Sequence, residues 1–189
     1  MLQGIKRVMA KAKTEEFFLM KTLQFPTTTA SGTSVSGTID LSTYINPVQN
    51  LAIAVTEVTA LFQRGSLYAA DVQSMVAGDA ALQWQVSDAN PSLVMLRGDN
   101  LNLIGDGAIN IAQTSNQATA VASMFPDHYG GESQSRYVVN DTLYCVAAVE
   151  GHTTSTTDIV YCTLRVRVKS VKLDSKAWQT IALQQIAQN

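Results

Sequence analysis

A chain of 189 residues with 46% apolar content is long enough for one domain with a real core, and its 15% of charged residues is well below the usual quarter. A net charge of −2 and only two cysteines exclude a strongly basic nucleic-acid coat and a disulfide-built scaffold. No apolar run reaches the roughly 18 residues that a membrane-spanning helix needs.

The small net charge hides an uneven distribution. Both ends of the chain are basic and the middle is acidic, which points to contact with an acidic neighbour, nucleic acid or a membrane surface. Residues 1–16 read as an N-terminal arm. Leu2, Ile5, Val8 and Met9 fall at helical spacing there, with Lys6, Arg7, Lys11 and Lys13 over much of the remaining surface.

Residues 17–173 read as a β domain. Phe17–Phe25 is a first strand ended by Pro26, Val35–Leu41 a second, and Leu51–Gln63 a long central strand in which Thr56, Val58 and Thr59 argue against a helix. Short runs follow at 67–77, 81–87, 92–97, 101–104 and 108–113, punctuated by Gly78-Asp79, Asn90-Pro91, Gly98-Asp99 and Gly105-Asp106-Gly107. Such spacing predicts an antiparallel sandwich or barrel, with loops at 114–119 and 126–135.

The most clearly patterned stretch is Arg136–Leu173, where apolar runs at 137–149 and 158–173 flank a Gly/His/Thr/Ser connection. It reads as a long hairpin. Centring the turn between Thr153 and Thr154 sets Cys145 opposite Cys162, close enough for a candidate cross-strand disulfide, although two buried free thiols acting as small core residues are the favoured expectation. In the second run Leu164, Val166 and Val168 share the core face, while Arg165, Arg167 and Lys169 share the other with Thr163 and Val171. Those three cations must reach solvent, an acidic subunit or phosphate. Residues 174–189 change period, and Trp178, Ile181, Leu183 and Ile186 predict a short C-terminal helix capped at Asp174-Ser175.

Chemical motifs are sparse. His128 and His152 stand in predicted loops without a second imidazole or thiol at ligand spacing, which argues against zinc. Asp127-His128 with Ser133 or Ser135 lacks the spacing and elbow of a hydrolytic triad, and there is no phosphate loop or dinucleotide glycine pattern. Asp99 and Asp106 beside glycines suit turns better than calcium, and Asn140-Asp141-Thr142 matches the glycosylation acceptor only formally. No enzyme activity, cofactor, metal or small-molecule substrate is expected.

Taken together, the basic arm, the antiparallel domain, the charge-poor Thr/Ser-rich surface, and the segments GTIDLSTYIN (37–46), RYVVNDTLYCVAA (136–148) and VKLDSKAWQTIALQQ (171–185) resemble single jelly-roll capsid proteins of small tailless viruses. The resemblance implies a jelly-roll β-sandwich, residence in the virion, and self-assembly into a shell of identical copies. Contact with other virion proteins, and of the arm with nucleic acid or membrane, would accompany it. The arm is much less basic than in capsids that package RNA. Lys6, Arg7, Lys11, Lys13, Arg165, Arg167 and Lys169 are the candidate subunit or partner contacts. A secreted or cell-surface β-sandwich binding carbohydrate or protein is the alternative, with Trp84, Tyr129 and Tyr137 as candidate contacts.

Overall fold

A computed structural model describes residues 10–66, 72–121 and 136–186. Among these the strands are β1 (Lys11–Ala12), β2 (Phe17–Phe25), β3 (Thr33–Asp40), β4 (Leu51–Arg64), β5 (Ala80–Ser87), β6 (Leu103–Ala112), β7 (Gln117–Val121), β8 (Arg136–Val138), β9 (Thr142–Glu150) and β10 (Val160–Lys172). One helix, α1 (Ser175–Ile186), closes the chain. All strand pairs are antiparallel and divide into two sheets. The first has the order β2, β10, β4, β8, with β1 continuing the β2 edge along β10, and the second has the order β3, β9, β5, β6, β7.

This order is a jelly roll. With β1 and β7 set aside, eight strands pair from the outside in: β2 with β10, β3 with β9, β4 with β8, and β5 with β6 as the innermost hairpin. Folding that nested ribbon over itself places alternate pairs in opposite sheets. The inner faces then share one core, with Phe25, Ile53, Leu82, Leu143, Leu164 and Val166 fully buried in it.

The ladder explains why β10 alternates so regularly. Val160, Cys162, Leu164, Val166 and Val168 are all fully buried between the sheets, while the intervening residues face outward. Strand β4 keeps both of its faces in phase with β10 through a bulge. Arg167 lies opposite Glu57 and Val168 opposite Val55, so Thr56 is the extra residue; its hydroxyl donates to the Arg167 carbonyl at 3.2 Å. Ile53 and Val55 on one side of the bulge and Val58, Ala60 and Phe62 on the other all reach the same core.

The expected hairpin does not form. β9 pairs with β3 and β5, β10 pairs with β2 and β4, and the connection between them crosses from one sheet to the other. Cys145 lies beside Gly37 and Val86, whereas Cys162 lies beside Leu23 and Phe62. A disulfide across one ladder is therefore ruled out by topology, and both cysteines are free and buried. Desolvation by burial pushes the Cys145 thiol up to about 12, against a small opposing pull from Lys21, and raises that of Cys162, which also feels the neighbouring Cys145.

Two consequences follow for solution chemistry. Thiol reagents are expected to label neither cysteine in the folded protein and both after denaturation, as counted by mass spectrometry. A raised folded-state pKa stabilises fully below the unfolded value near 9 and is lost as pH climbs through the folded one, so urea stability should fall between about pH 9 and 12. Replacing both cysteines by Val should flatten that alkaline loss.

Several short elements also differ from expectation. The 101–104 and 108–113 runs meet in one strand, β6 (Leu103–Ala112), because its glycines give close packing rather than a turn: a Cβ at Gly107 would lie 2.7 Å from the Trp84 ring, and one at Gly105 would lie 3.2 Å from Val58. The 92–97 run belongs to a loop over the second sheet, held by Gln85, whose amide donates to Leu96 O at 2.8 Å and whose Oε1 accepts from Leu96 N at 2.7 Å. Val72–Met75 is a 3-10 turn rather than strand, and 117–121 is an edge strand rather than loop. Residues 67–71, the 126–135 loop and the amphipathic start of the arm, with Lys6 and Arg7, lie outside the described residues.

At the C-terminus the Asp174 carboxylate accepts from Ala177 N at 2.7 Å, capping α1 as the sequence predicts. Ala177, Trp178, Ile181 and Ala182 lie on a second, smaller core made by Ala52, Ala54, Val171 and Leu173 from the outer face of the first sheet. Ala10 joins the same cluster. The arm is stitched to β10 there, Lys13 N donating to Ser170 O and Ser170 N donating to the Thr14 hydroxyl.

Candidate interaction face

The outer face of the first sheet has two unlike halves. One half is roofed by α1 and the arm, as just described. The other carries the outward residues of β2, β10 and the far end of β4, and among the described residues no element covers it.

On that open half the register sets Phe18 opposite Arg167, and Met20 and Thr59 on either side of Arg165. Both guanidinium carbons stand over the Phe18 ring, 4.6 Å from its centroid for Arg165 and 5.1 Å for Arg167, within cation–π range. Arg167 also donates to Glu57 at 3.0 Å across the ladder. This pair is solvent-screened and contributes about 0.5 kcal/mol, so it orients the guanidinium more than it stabilises the fold. Arg165 is exposed and forms no ion pair with a described residue. Beside it Phe18, Met20 and Leu61 are 44%, 63% and 42% exposed, an apolar grouping on a β face that solvent alone does not favour.

The sequence-predicted cations therefore separate. Arg165 and Arg167 share the open half; Lys169, half-buried beside Ala54, lies towards the roofed end. Lys11 is exposed on β1, and Lys13 follows it along the same edge. Sequence reasoning missed Phe18, Met20 and Leu61. Their alternation in β2 and β4 was visible, but their gathering around Arg165 and Arg167 depends on the registers of both strands with β10.

A second feature lies at one end of the second sheet. A cavity of about 410 Å³ is lined by Asp88, Asn90, Asn140, Asp141 and Tyr144 among others. Asp88 is fully buried, and its carboxylate accepts from Arg136 Nη2 at 3.2 Å; Arg136 also donates to Leu101 O. Asn140 sits in the β8–β9 turn, and its amide donates to Asp88 O at 2.6 Å, so this formal glycosylation acceptor is occupied in the rim. Asp141 is exposed, and its neighbour Asp40, at the end of the adjoining strand, accepts from Ser42 N at 2.8 Å, which holds its carboxyl below the usual range. Next to this rim the loop exposes Leu93 and Val94.

The two described residues of the alternative reading, Trp84 and Tyr137, stand apart from each other. Trp84 is half-buried against the core over Gly107, Tyr137 packs in the cluster under α1, and Tyr129 lies outside the described residues. Asp99 pairs with Arg97 at 3.2 Å in solvent, and no cluster of His, Cys, Asp and Glu that would hold a metal occurs among the described residues. His128 and the serines near it lie outside them, and His152 packs its ring against Gly78.

The class that the fold defines is a jelly-roll β-sandwich with a terminal helix lying on one sheet. Among solved structures, the chain is similar to VP1 of Trichodysplasia spinulosa-associated polyomavirus in complex with 3'-sialyllactose, at 10% identity and a TM-score of 0.44, over 88% of this chain and 97% of that one. The same protein in complex with GM1 oligosaccharide gives 11% identity and a TM-score of 0.42, over 88% and 99%. No family model and no curated protein matches the chain. Superposition at this level is loose, and the jelly-roll assignment rests on the strand order itself.

Proposed function

We propose that the chain is a structural subunit that self-assembles through subunit–subunit contacts into a viral capsid shell, and so resides in the virion. The observation that supports this most is the open half of the first sheet, where Phe18, Met20 and Leu61 stand in solvent between two ordered guanidinium groups. Interfaces are enriched in such aromatic, Met and Arg groups. A charge-poor surface supports the same reading, because little like-charge repulsion opposes packing of copies. The basic arm, through Lys6, Arg7, Lys11 and Lys13, would contribute secondary contacts to neighbouring copies, other virion proteins, nucleic acid or membrane.

Light scattering and electron microscopy of the purified protein test the proposal. Regular particles or discrete oligomers are expected at micromolar concentration, and a monodisperse monomer at high concentration would overturn it. Truncating residues 1–9 should weaken particle formation if the arm ties copies together; particles of unchanged yield and size would remove the arm from the interface.

A further inference from the structure

We infer that copies of this chain join head to tail, the Arg165 half-face of one docking on the acidic rim formed by Asp40 and Asp141 on the next. The inference rests on the self-assembly reading and deepens it by naming both partners of the contact.

The two patches are complementary in charge and alike in their apolar surroundings. On the first sheet Arg165 projects among Phe18, Met20 and Leu61. At one end of the second sheet Asp40 closes β3 and Asp141 directly precedes β9, neither ion-paired with a described base, beside a cavity of about 410 Å³ that is roomy enough for an arginine head group. Apolar groups flank this rim too, Leu93 at 53% and Val94 at 66% exposure. Leu93 is held there at φ 70° and Ser92 at φ 52°, left-handed backbone that a bulky side chain adopts only at a cost. That strained turn borders a groove of about 150 Å³ against Thr38 and Tyr144.

Symmetry decides between ways of pairing. A two-fold contact of the first patch with itself would bring the guanidinium groups of two copies together, and a two-fold contact of the acidic rim would do the same for carboxylates; each is repulsive. The unlike contact joins opposite charges. Because one patch lies on the outer side of the first sheet and the other at an end of the second, one copy engages two neighbours at once. Such heterologous contacts generate a ring or a shell when the rotation closes.

Two full-length variants test this by sedimentation velocity at about 0.15 M salt. Arg165→Glu alters one patch, and Asp40→Lys with Asp141→Lys alters the other. All three positions are exposed, so circular dichroism should match wild type and the melting temperature should fall only slightly, Asp40 giving up its bond from Ser42 N. Each variant alone should associate roughly 30-fold more weakly or worse, and mixing the two in equal amounts should restore association, because each then offers the patch the other can bind. The milder Asp141→Asn should weaken association in the same direction. If wild type assembles and both variants assemble equally well, or if mixing restores nothing, the head-to-tail contact is overturned while self-assembly stands. If wild type itself stays monomeric, the self-assembly reading fails first, and the contact with it.

Discussion

Replacing Phe25 by Ala is expected to remove about 3–5 kcal/mol of stability, the range found when a fully buried aromatic is truncated to a methyl group. Phe25 ends β2 opposite Val160, and none of its surface reaches solvent. The cavity would open where the strand meets the Pro26–Thr29 turn, whose carbonyls and hydroxyls are already committed: the Thr29 and Thr154 hydroxyls both donate to Pro26 O, at 2.7 and 3.0 Å. Relaxation into the hole would strain these bonds, which places the expected loss in the upper part of the range. Urea denaturation should show it as a midpoint lowered by about 2 M, taking m near 2 kcal/mol/M. Phe18→Ala serves as the contrast, because Phe18 is nearly half exposed; a loss below about 1 kcal/mol is expected there.

Gly151→Val is the second large effect, and its cause is backbone rather than burial. Gly151 follows β9 with φ at 95°, a conformation L side chains rarely adopt. A Cβ there would also lie 2.7 Å from the Asp79 carbonyl oxygen, a main-chain atom that cannot swing aside. Strain and overlap together should cost about 3 kcal/mol or more. Gly98→Val, at a glycine with nothing within 4 Å of its Cβ position, should change stability by less than about 0.5 kcal/mol in the same urea assay. Equal losses at both glycines would show that the Asp79 contact is not what fixes Gly151.

These cases show which parts of the fold were legible in the chain. Leu164, Val166 and Val168 announced the core face of β10 because alternation is a local consequence of the pleat. The C-terminal helix was equally readable, since capping at Asp174 and the spacing of Trp178 and Ile181 are local as well. Partnership between strands is not local. Two apolar runs joined by Gly, His and Thr look like a hairpin whether they pair with each other or, as here, lie in opposite sheets beside strands more than 50 residues away. The same limit applied to Gly105 and Gly107, where only the ring of Trp84 and the side chain of Val58 reveal that the glycines make room rather than turns.

The candidate face was half legible for the same reason. Arg165 and Arg167 could be placed outside from β10 alone. Phe18, Met20 and Leu61 became their neighbours only through the registers of β2 and β4, and the acidic rim only through the pairing of β3 with β9. The Arg167–Glu57 pair likewise joins residues whose closeness depends on the bulge.

That bulge also leaves slack in the chain. Thr56 is one residue more than the ladder of β4 needs, so removing it would leave Glu57 facing outward and Val55 inward, as they already do. A one-residue deletion at this point should be absorbed by a straighter strand, whereas a deletion at Thr163 in β10, which has no spare residue there, would turn one end of the central strand inside out. The fold thus tolerates a change of length where it already stores one, and sequence variation by insertion or deletion within this sheet is expected to gather at Thr56 rather than anywhere along β10.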